Sequence, residues 1–244
     1  MKVTYYRYAD TEPASNYKKT YFLFTPYAIA KIGPVDIQAE LNYATGKLRQ
    51  YDNASLGADI QLMNMSGWID AIATFGPVYF GGTIAYVSGD DPTTPDKQEG
   101  GTLNGGTDWN PCLILFSYYD LTYWAGGLPG QGGAWSLTSS TQPVNMGPMT
   151  NTWFFQGRGG VRPIANLDIM ASVSYATADQ KPAGYGSGSY GWEVDVTGTY
   201  KITNNLSYML GVGYLITGDY FKGTVAGSQV RDDYMVINKL TLTF

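Results

Sequence analysis

The stretch Gly191–Asp219, GWEVDVTGTYKITNNLSYMLGVGYLITGD, constrains the fold more than any other part of the chain. Trp192, Val194, Val196 and Tyr200 share one parity; Glu193, Asp195, Thr197 and Thr199 share the other. Strand side chains point alternately to opposite faces, so this half has an apolar and a polar face. After a turn at Thr203-Asn204-Asn205 the alternation resumes. Leu206, Tyr208, Leu210, Val212, Tyr214 and Ile216 lie on one face, with Ser207, Met209, Gly211, Gly213 and Thr217 on the other. Each strand exceeds the usual globular length of about five or six residues. A tilted strand of about 9–11 residues is what crosses a bilayer. The hairpin therefore reads as two membrane crossings.

Four segments repeat this scheme: Ile32-GPVDIQAELNYATGK, Phe75-GPVYFGGTIAYVSGD, Ile164-ANLDIMASVSYATAD and Ile202-TNNLSYMLGVGYLITGD. Each is a tight turn, an alternating strand with Tyr near its far end, and a loop containing Gly or Asp. Returning strands are expected near Tyr21–Lys31, Leu56–Phe75, Thr152–Arg162 and Gly191–Lys201, with Lys2–Tyr8 and Tyr234–Phe244 at the ends. The result is an all-β, antiparallel up-and-down meander of about ten strands, closed as a transmembrane β-barrel with short turns on one side and long loops on the other. Residues 1–244 form one domain, carrying a long inserted loop at about 89–148. Within Leu56–Phe75 the apolar parity switches from even (Leu56, Ala58, Ile60, Leu62) to odd (Ile69, Ala71, Ala73, Phe75). A β-bulge near Asn64–Gly67, or a broken strand, would account for the switch.

Composition supports closure. Gly is 31 of 244 and aromatics are 15%, against only 14% charged residues, as suits a barrel with aromatic girdles. Mean hydropathy is −0.17, and no apolar run approaches the roughly 18 residues of a transmembrane helix. Twenty acids against fifteen bases leave a scattered net charge of −5, which argues against a nucleic-acid partner. With no histidine, Ser-His-Asp and Cys-His catalysis and most zinc sites are removed. One cysteine, Cys112, removes a disulfide framework and any Cys-rich metal site. No enzymatic activity, cofactor or metal is expected. The carboxylate pairs Asp36/Glu40 and Glu193/Asp195 are read as a hydrated barrel wall rather than a glycosidase site. Asp90, Asp91, Asp96, Asp232 and Asp233 match no defined calcium loop. Gly126–Gly133 is read as a loop and Gly157–Gly160 as strand, since neither precedes a helix as a phosphate-binding loop would.

On the inferred inner face stand Asp36, Glu40, Arg158, Arg162, Glu193, Asp195 and Lys239, the candidate pore-lining set. In the long loop, Cys112-Leu-Ile-Leu-Phe116 and Tyr118–Trp124 are too apolar to lie free in water. Trp109, Cys112, Phe116, Tyr119 and Trp124 are the candidate residues of a loop that folds inward and constricts the channel.

The chain ends Tyr234-Met-Val-Ile-Asn-Lys-Leu-Thr-Leu-Thr-Phe244, with Val236, Leu240, Leu242 and Phe244 on one face. This resembles the closing strand of bacterial outer-membrane β-barrels, with Lys239 where that signal commonly has a small residue. Among these, the chain is most similar to Gram-negative porins. The segments Asp108–Phe116 and Tyr118–Trp124 resemble alginate-export-like channels. The resemblance implies an outer-membrane location in contact with lipid and passive diffusion of small solutes or ions. It also implies recognition of Leu240, Leu242 and Phe244 by the barrel-assembly machinery, and a possible homo-oligomer. The strand at Met1–Tyr6, without a leader, suggests the C-terminal part of a larger porin. The alternatives are an outer-membrane anchor, adhesin or receptor barrel, or a secreted β-sandwich.

Overall fold

The computed structural model describes residues 1–9, 17–103, 111–116, 149–224, 227 and 229–244. Twelve strands follow in chain order: β1 (Lys2–Ala9), β2 (Tyr17–Thr25), β3 (Tyr27–Ile32), β4 (Val35–Tyr51), β5 (Ile60–Phe75), β6 (Val78–Val87), β7 (Lys97–Gln98), β8 (Thr152–Ile164), β9 (Leu167–Thr177), β10 (Ser189–Lys201), β11 (Leu206–Thr217) and β12 (Asp233–Leu242). They make one sheet with the order β1-β2-β4-β5-β6-β8-β9-β10-β11-β12, while β3 pairs with β4 and β7 with β5. Every pairing is antiparallel except the two-residue β7, which runs parallel to β5. The architecture is thus an up-and-down meander. β1 and β12 bound it, and no pairing joins them among the described residues.

β2 and β3 act as one crossing. Both pair with β4, and Pro26 separates them because it has no N–H to donate. Its carbonyl still accepts from Leu41 N at 3.1 Å, so the ladder continues past the break. Counting this pair once and setting β7 aside gives ten long strands, as the repeats suggest.

Two turns repeat one solution. Gly33 and Gly76 both have φ of +58° and are followed by Pro34 and Pro77. A two-residue hairpin needs a turn whose twist matches its strands. Proline's negative φ at the second position excludes type I′, so the pair fits type II′. Thus Gly-Pro is a turn signal here rather than generic loop composition.

The face alternation is continuous across the sheet. Outward, in register, run Ile69, Ile84, Phe155, Tyr175, Trp192 and Ile216. Inward, also in register, run Asp70, Thr83, Gln156, Ser174, Glu193 and Leu215. The buried cluster is entirely on the inward side. It joins Val87, Phe154, Ala176, Tyr190, Leu215 and Ile237, from six strands, to Cys112–Phe116. Trp68 of β5 packs against it. A flat run of seven strands would spread over about 29 Å at ~4.8 Å per strand. One contiguous cluster therefore requires the sheet to curl around residues 111–116.

Several expected boundaries shift. No bulge lies at Asn64–Gly67: the β4–β5 register runs unbroken from Val35↔Ala73 to Lys47↔Gln61. The register shifts instead between Lys47 and Arg49 and between Lys18 and Thr20. The parity switch is one of cover, not of backbone. Leu62 faces inward and is buried at the end of β5 where residues 97–102 pair alongside it. Gln98 is Leu62's register partner, Ser66 Oγ donates to the Thr102 carbonyl at 2.9 Å, and Asn64 Nδ2 donates to the Gly100 carbonyl at 3.2 Å. β5 starts at Ile60 rather than Leu56, since Ala54–Leu56 form a 3-10 turn capped by Asn53. β4 runs on to Tyr51, past the Gly46-Lys47 end of its repeat segment.

Because nothing lies within 4 Å of a Cβ placed on Gly76, a substitution there meets only the backbone penalty. Gly76→Val should cost about 1–2 kcal/mol of folding free energy, and Gly76→Asn clearly less, since asparagine tolerates positive φ. Denaturant titration of the two variants checks this, and equal losses would remove the turn assignment.

Candidate functional site

The inner site begins with two acids on β10. Glu193 and Asp195 point the same way, and both are buried, at 0% and 2% exposure. A carboxylate taken out of water costs several kcal/mol unless donors replace the lost hydration. The inserted segment supplies them. Ile114 N–H donates to Glu193 Oε1 at 2.6 Å and Leu115 N–H donates to Oε2 at 2.7 Å. Successive backbone N–H groups aimed at one anion form a nest, and the next residue, Phe116, has φ of +55°. Gln156 Nε2 donates to the Pro111 carbonyl and, at 3.1 Å, to Ser174 Oγ. Phe116 meets Phe154 and Tyr190 edge-on, with centroids 6.2 and 6.0 Å away.

Glycine makes the room. A Cβ on Gly211 would sit 3.0 Å from Leu113 Cδ1, and one on Gly213 3.2 Å from Leu113 Cβ and 2.6 Å from Asp195 Oδ1. Two glycines on the inward face of β11 thus form the seat of Leu113. Cys112 is 2% exposed; burial, followed by the nearby Glu193 and Asp195 carboxylates, pushes its thiol well above the usual range.

Below this seat the inner wall is charged but internally paired. Arg158 forms an ion pair with Asp70 and donates to Thr83 Oγ1 at 2.8 Å and to Gln156 Oε1 at 3.2 Å. Arg162 Nε donates to Asp168 Oδ2 at 2.8 Å while its guanidinium lies 4.6 Å from the Tyr79 ring centroid. Tyr79 OH donates to Asp168 Oδ1 at 2.6 Å. The Tyr79 ring lies over Gly160, where a Cβ would come within 2.3 Å of it. Gly160 therefore faces inward, whereas the sequence pattern suggests small outward residues along Gly157–Gly160.

All seven candidate wall residues fall on the inward face, but in different settings. Asp36 pairs with Lys31 at 2.8 Å near a turn, and Glu40 accepts from Asn42 Nδ2 at 2.8 Å. Arg158 and Arg162 sit in the two networks above, and Lys239 is half-buried opposite Met209. Glu193 and Asp195 are not hydrated wall, as expected from alternation; they lie beneath the inserted segment. Of the constriction candidates, Cys112 and Phe116 are inside the sheet, and Trp109, Tyr119 and Trp124 lie outside the described residues. Leu240 and Leu242 face outward, and Phe244 is exposed at the chain end.

Sequence reading misses Asp70, Tyr79, Asp168 and Ser172, whose roles depend on neighbours up to 89 residues away. One signal was present. Gly211 and Gly213 stand on the polar face directly across from Thr197 and Asp195, which marks space reserved for another part of the chain. The loop acids organise loops. Asp90 Oδ1 accepts from Glu99 N at 2.7 Å, and Asp232 Oδ1 from Thr217 N at 3.1 Å. Thr93 N–H and its hydroxyl hold the Asp91 carboxyl below its usual range.

The outward face carries no charge between its aromatic ends. From β5 to β12, excluding β7, the outward positions hold Gly, Ala, Val, Ile, Leu, Met, Phe, Tyr and Trp, with Gln61, Pro163, Thr177 and Asn238 the exceptions. Tyr86–Trp153 and Tyr175–Trp192 pack at the loop end, at 4.4 and 4.8 Å between centroids. Phe75–Phe80 pack toward the turn end at 5.6 Å, where Tyr200 and Tyr208 also stand. A hollow of about 820 Å³ opens on this face, where Ala71, Gly82 and Gly157 leave space beside Ile84, Phe155 and Trp192. It is apolar and remote from the carboxylates. Comparison with known protein families and with curated proteins finds no match.

If Leu113 is held by its glycine seat, Gly213→Val should lift the segment and expose Cys112. Labelling by a bulky thiol reagent, slow in the native chain, should accelerate about tenfold or more, equal to roughly 1.4 kcal/mol of opening. An unchanged rate would mean that the seat does not hold the segment.

Proposed function

We propose that the chain is a transmembrane β-barrel of the outer-membrane porin type, which passes small solutes or ions and is narrowed from within by residues 111–116. The observation that carries this reading is the uncharged outward face. Val194, Val196, Leu210, Val212 and Val236 are all 43–66% exposed, side by side, with no protein over them. An apolar area that wide is far beyond the few hundred Å² that a soluble monomer leaves uncovered. Trp192 and Tyr200 bracket it on one strand, about 26 Å apart at ~3.3 Å per residue. That separation, somewhat reduced by tilt, suits the roughly 25 Å apolar band of an outer-membrane barrel and its two aromatic girdles.

A β-sandwich is disfavoured, because its apolar faces pack together whereas here the apolar face is outside and the charges are inside. Barrel closure requires the free edges of β1 and β12 to find strand partners, since unpaired backbone is not tolerated in lipid. On this reading the short turns are periplasmic, the loops extracellular, and Leu240, Leu242 and Phe244 the region offered to the assembly machinery. Homo-oligomerisation is compatible with the outward hollow. The second reading, a barrel acting as anchor, adhesin or receptor, draws on the same inserted segment, which fills the loop-side half of the interior.

Planar-bilayer recordings separate the two. Deleting Thr107–Gly133 should raise single-channel conductance several-fold above the intact chain. No conductance from either protein would favour the anchor or receptor. In the same preparations Leu240→Arg should cost about 2–4 kcal/mol if it lies near mid-bilayer, and Thr241→Arg far less. Equal losses at the two parities would argue for a soluble two-sided core.

A further inference from the structure

The inserted segment carries a thiol to the carboxylate pair. Cys112 Sγ, one oxygen of Glu193 and one of Asp195 lie within 4.8 Å of one another, and all three residues are buried. Glu193 has its two N–H donors, but Asp195 Oδ1 is buried with no hydrogen-bond partner. Neither carboxylate is in an ion pair among the described residues. On the adjacent strand Ser172, the register partner of Asp195, is 3% exposed, and its Oγ is also buried without a partner. Asp195, Ser172 and Cys112 border one cavity of about 360 Å³, which Asp168, Thr197 and Thr199 also line. Polar oxygens from two strands and a sulfur from the inserted segment thus converge on one space, where Asp195 Oδ1 makes no hydrogen bond of ordinary geometry although Ser172, Glu193 and the Leu113 N–H stand near its carboxylate.

We propose that this is a binding site for a divalent cation of the zinc class, with Cys112 Sγ and the carboxylates of Asp195 and Glu193 as ligands. Ser172 Oγ or a water in the cavity completes four-fold coordination. The donor set selects the ion. A thiolate with two carboxylates suits a borderline ion such as zinc, whereas calcium and magnesium take oxygen alone. Ligands at about 2.0–2.3 Å from a tetrahedral ion stand roughly 3.3–3.8 Å apart. Closure from within 4.8 Å is therefore small. On binding, the Cys112 S–H bond is replaced by a sulfur–metal bond and the proton leaves to solvent. A proton shared between Glu193 and Asp195, with Ser172 on Asp195 and Ser174 on the thiol, is the competing account, and it predicts no metal band. Bound metal would pin residues 111–116 to β10. The proposal does not depend on the chain being a pore.

Cobalt(II) titration of the full chain, folded in detergent micelles, tests it. The expected result is one equivalent bound with a sulfur-to-cobalt charge-transfer band, which zinc displaces and calcium does not. Cys112 is the only thiol in the chain, so the band reports this site alone. Cys112→Ser should abolish the band. Asp195→Asn, which removes an unpartnered charge and so should still fold, should weaken cobalt binding about tenfold or more. Absence of the band in the native chain, or unchanged affinity in Asp195→Asn, would overturn the proposal.

Discussion

Everything in this fold follows from an outward face that none of the described residues covers. Side chains with a period of two place every second residue of seven strands, β5 to β12 without β7, on that face, and none of those positions between the aromatic ends is charged. Burial of apolar area is worth about 25 cal/mol per Å², so leaving such a face in water would forfeit the main driving force for folding. On the proposed reading, an apolar phase around the sheet restores it. The charges then have one direction left, inward, and the pairs Arg158–Asp70 and Arg162–Asp168 show how they are accommodated there.

The inside is neither an empty channel nor an ordinary hydrophobic core. Residues 111–116 enter from the loop side and are held by polar contacts that depend on burial: two backbone N–H groups on Glu193 and the Gln156 amide on the Pro111 carbonyl. Hydrogen bonds to a charged group contribute roughly 1.5–3 kcal/mol each, and the penalty for breaking one partner is larger when the other stays buried. The segment and the acids therefore stabilise each other. The turn-side half of the interior, with Tyr79, Asp168 and Arg162, has no such insert among the described residues. Among the described residues, the insert therefore narrows the interior beside Leu113 and Cys112.

Much of this was legible in the sequence. The Gly-Pro turns, the long strands and the assignment of Val194, Leu210 or Leu240 to the outward face follow from alternation alone, because a strand has only two faces. Alternation fails where the inward side has protein cover. Leu62 is apolar and inward where residues 97–102 pair alongside β5, whereas the pattern alone suggests a bulge or a broken strand. Glu193 and Asp195 look like hydrated wall because nothing local shows that a segment about 80 residues away caps them. Asp70 and Asp168 were passed over for the same reason: their partners are on other strands. Gly213 across from Asp195 and Gly211 across from Thr197 are the local trace of that insert.

The account stands or falls on which phase meets the outward face. Nitroxide side chains placed one at a time at Ile169, Ala171, Val173, Val194, Val196 and Gly198, and at inward Thr199, Ser207 and Thr241, report it in lipid vesicles. The account predicts that collisions with dissolved oxygen exceed those with a water-soluble paramagnet at the six outward sites, most strongly at the middle of each strand, and that the order reverses at the inward sites. Outward sites that favour the water-soluble paramagnet, or no alternation between faces, would contradict it.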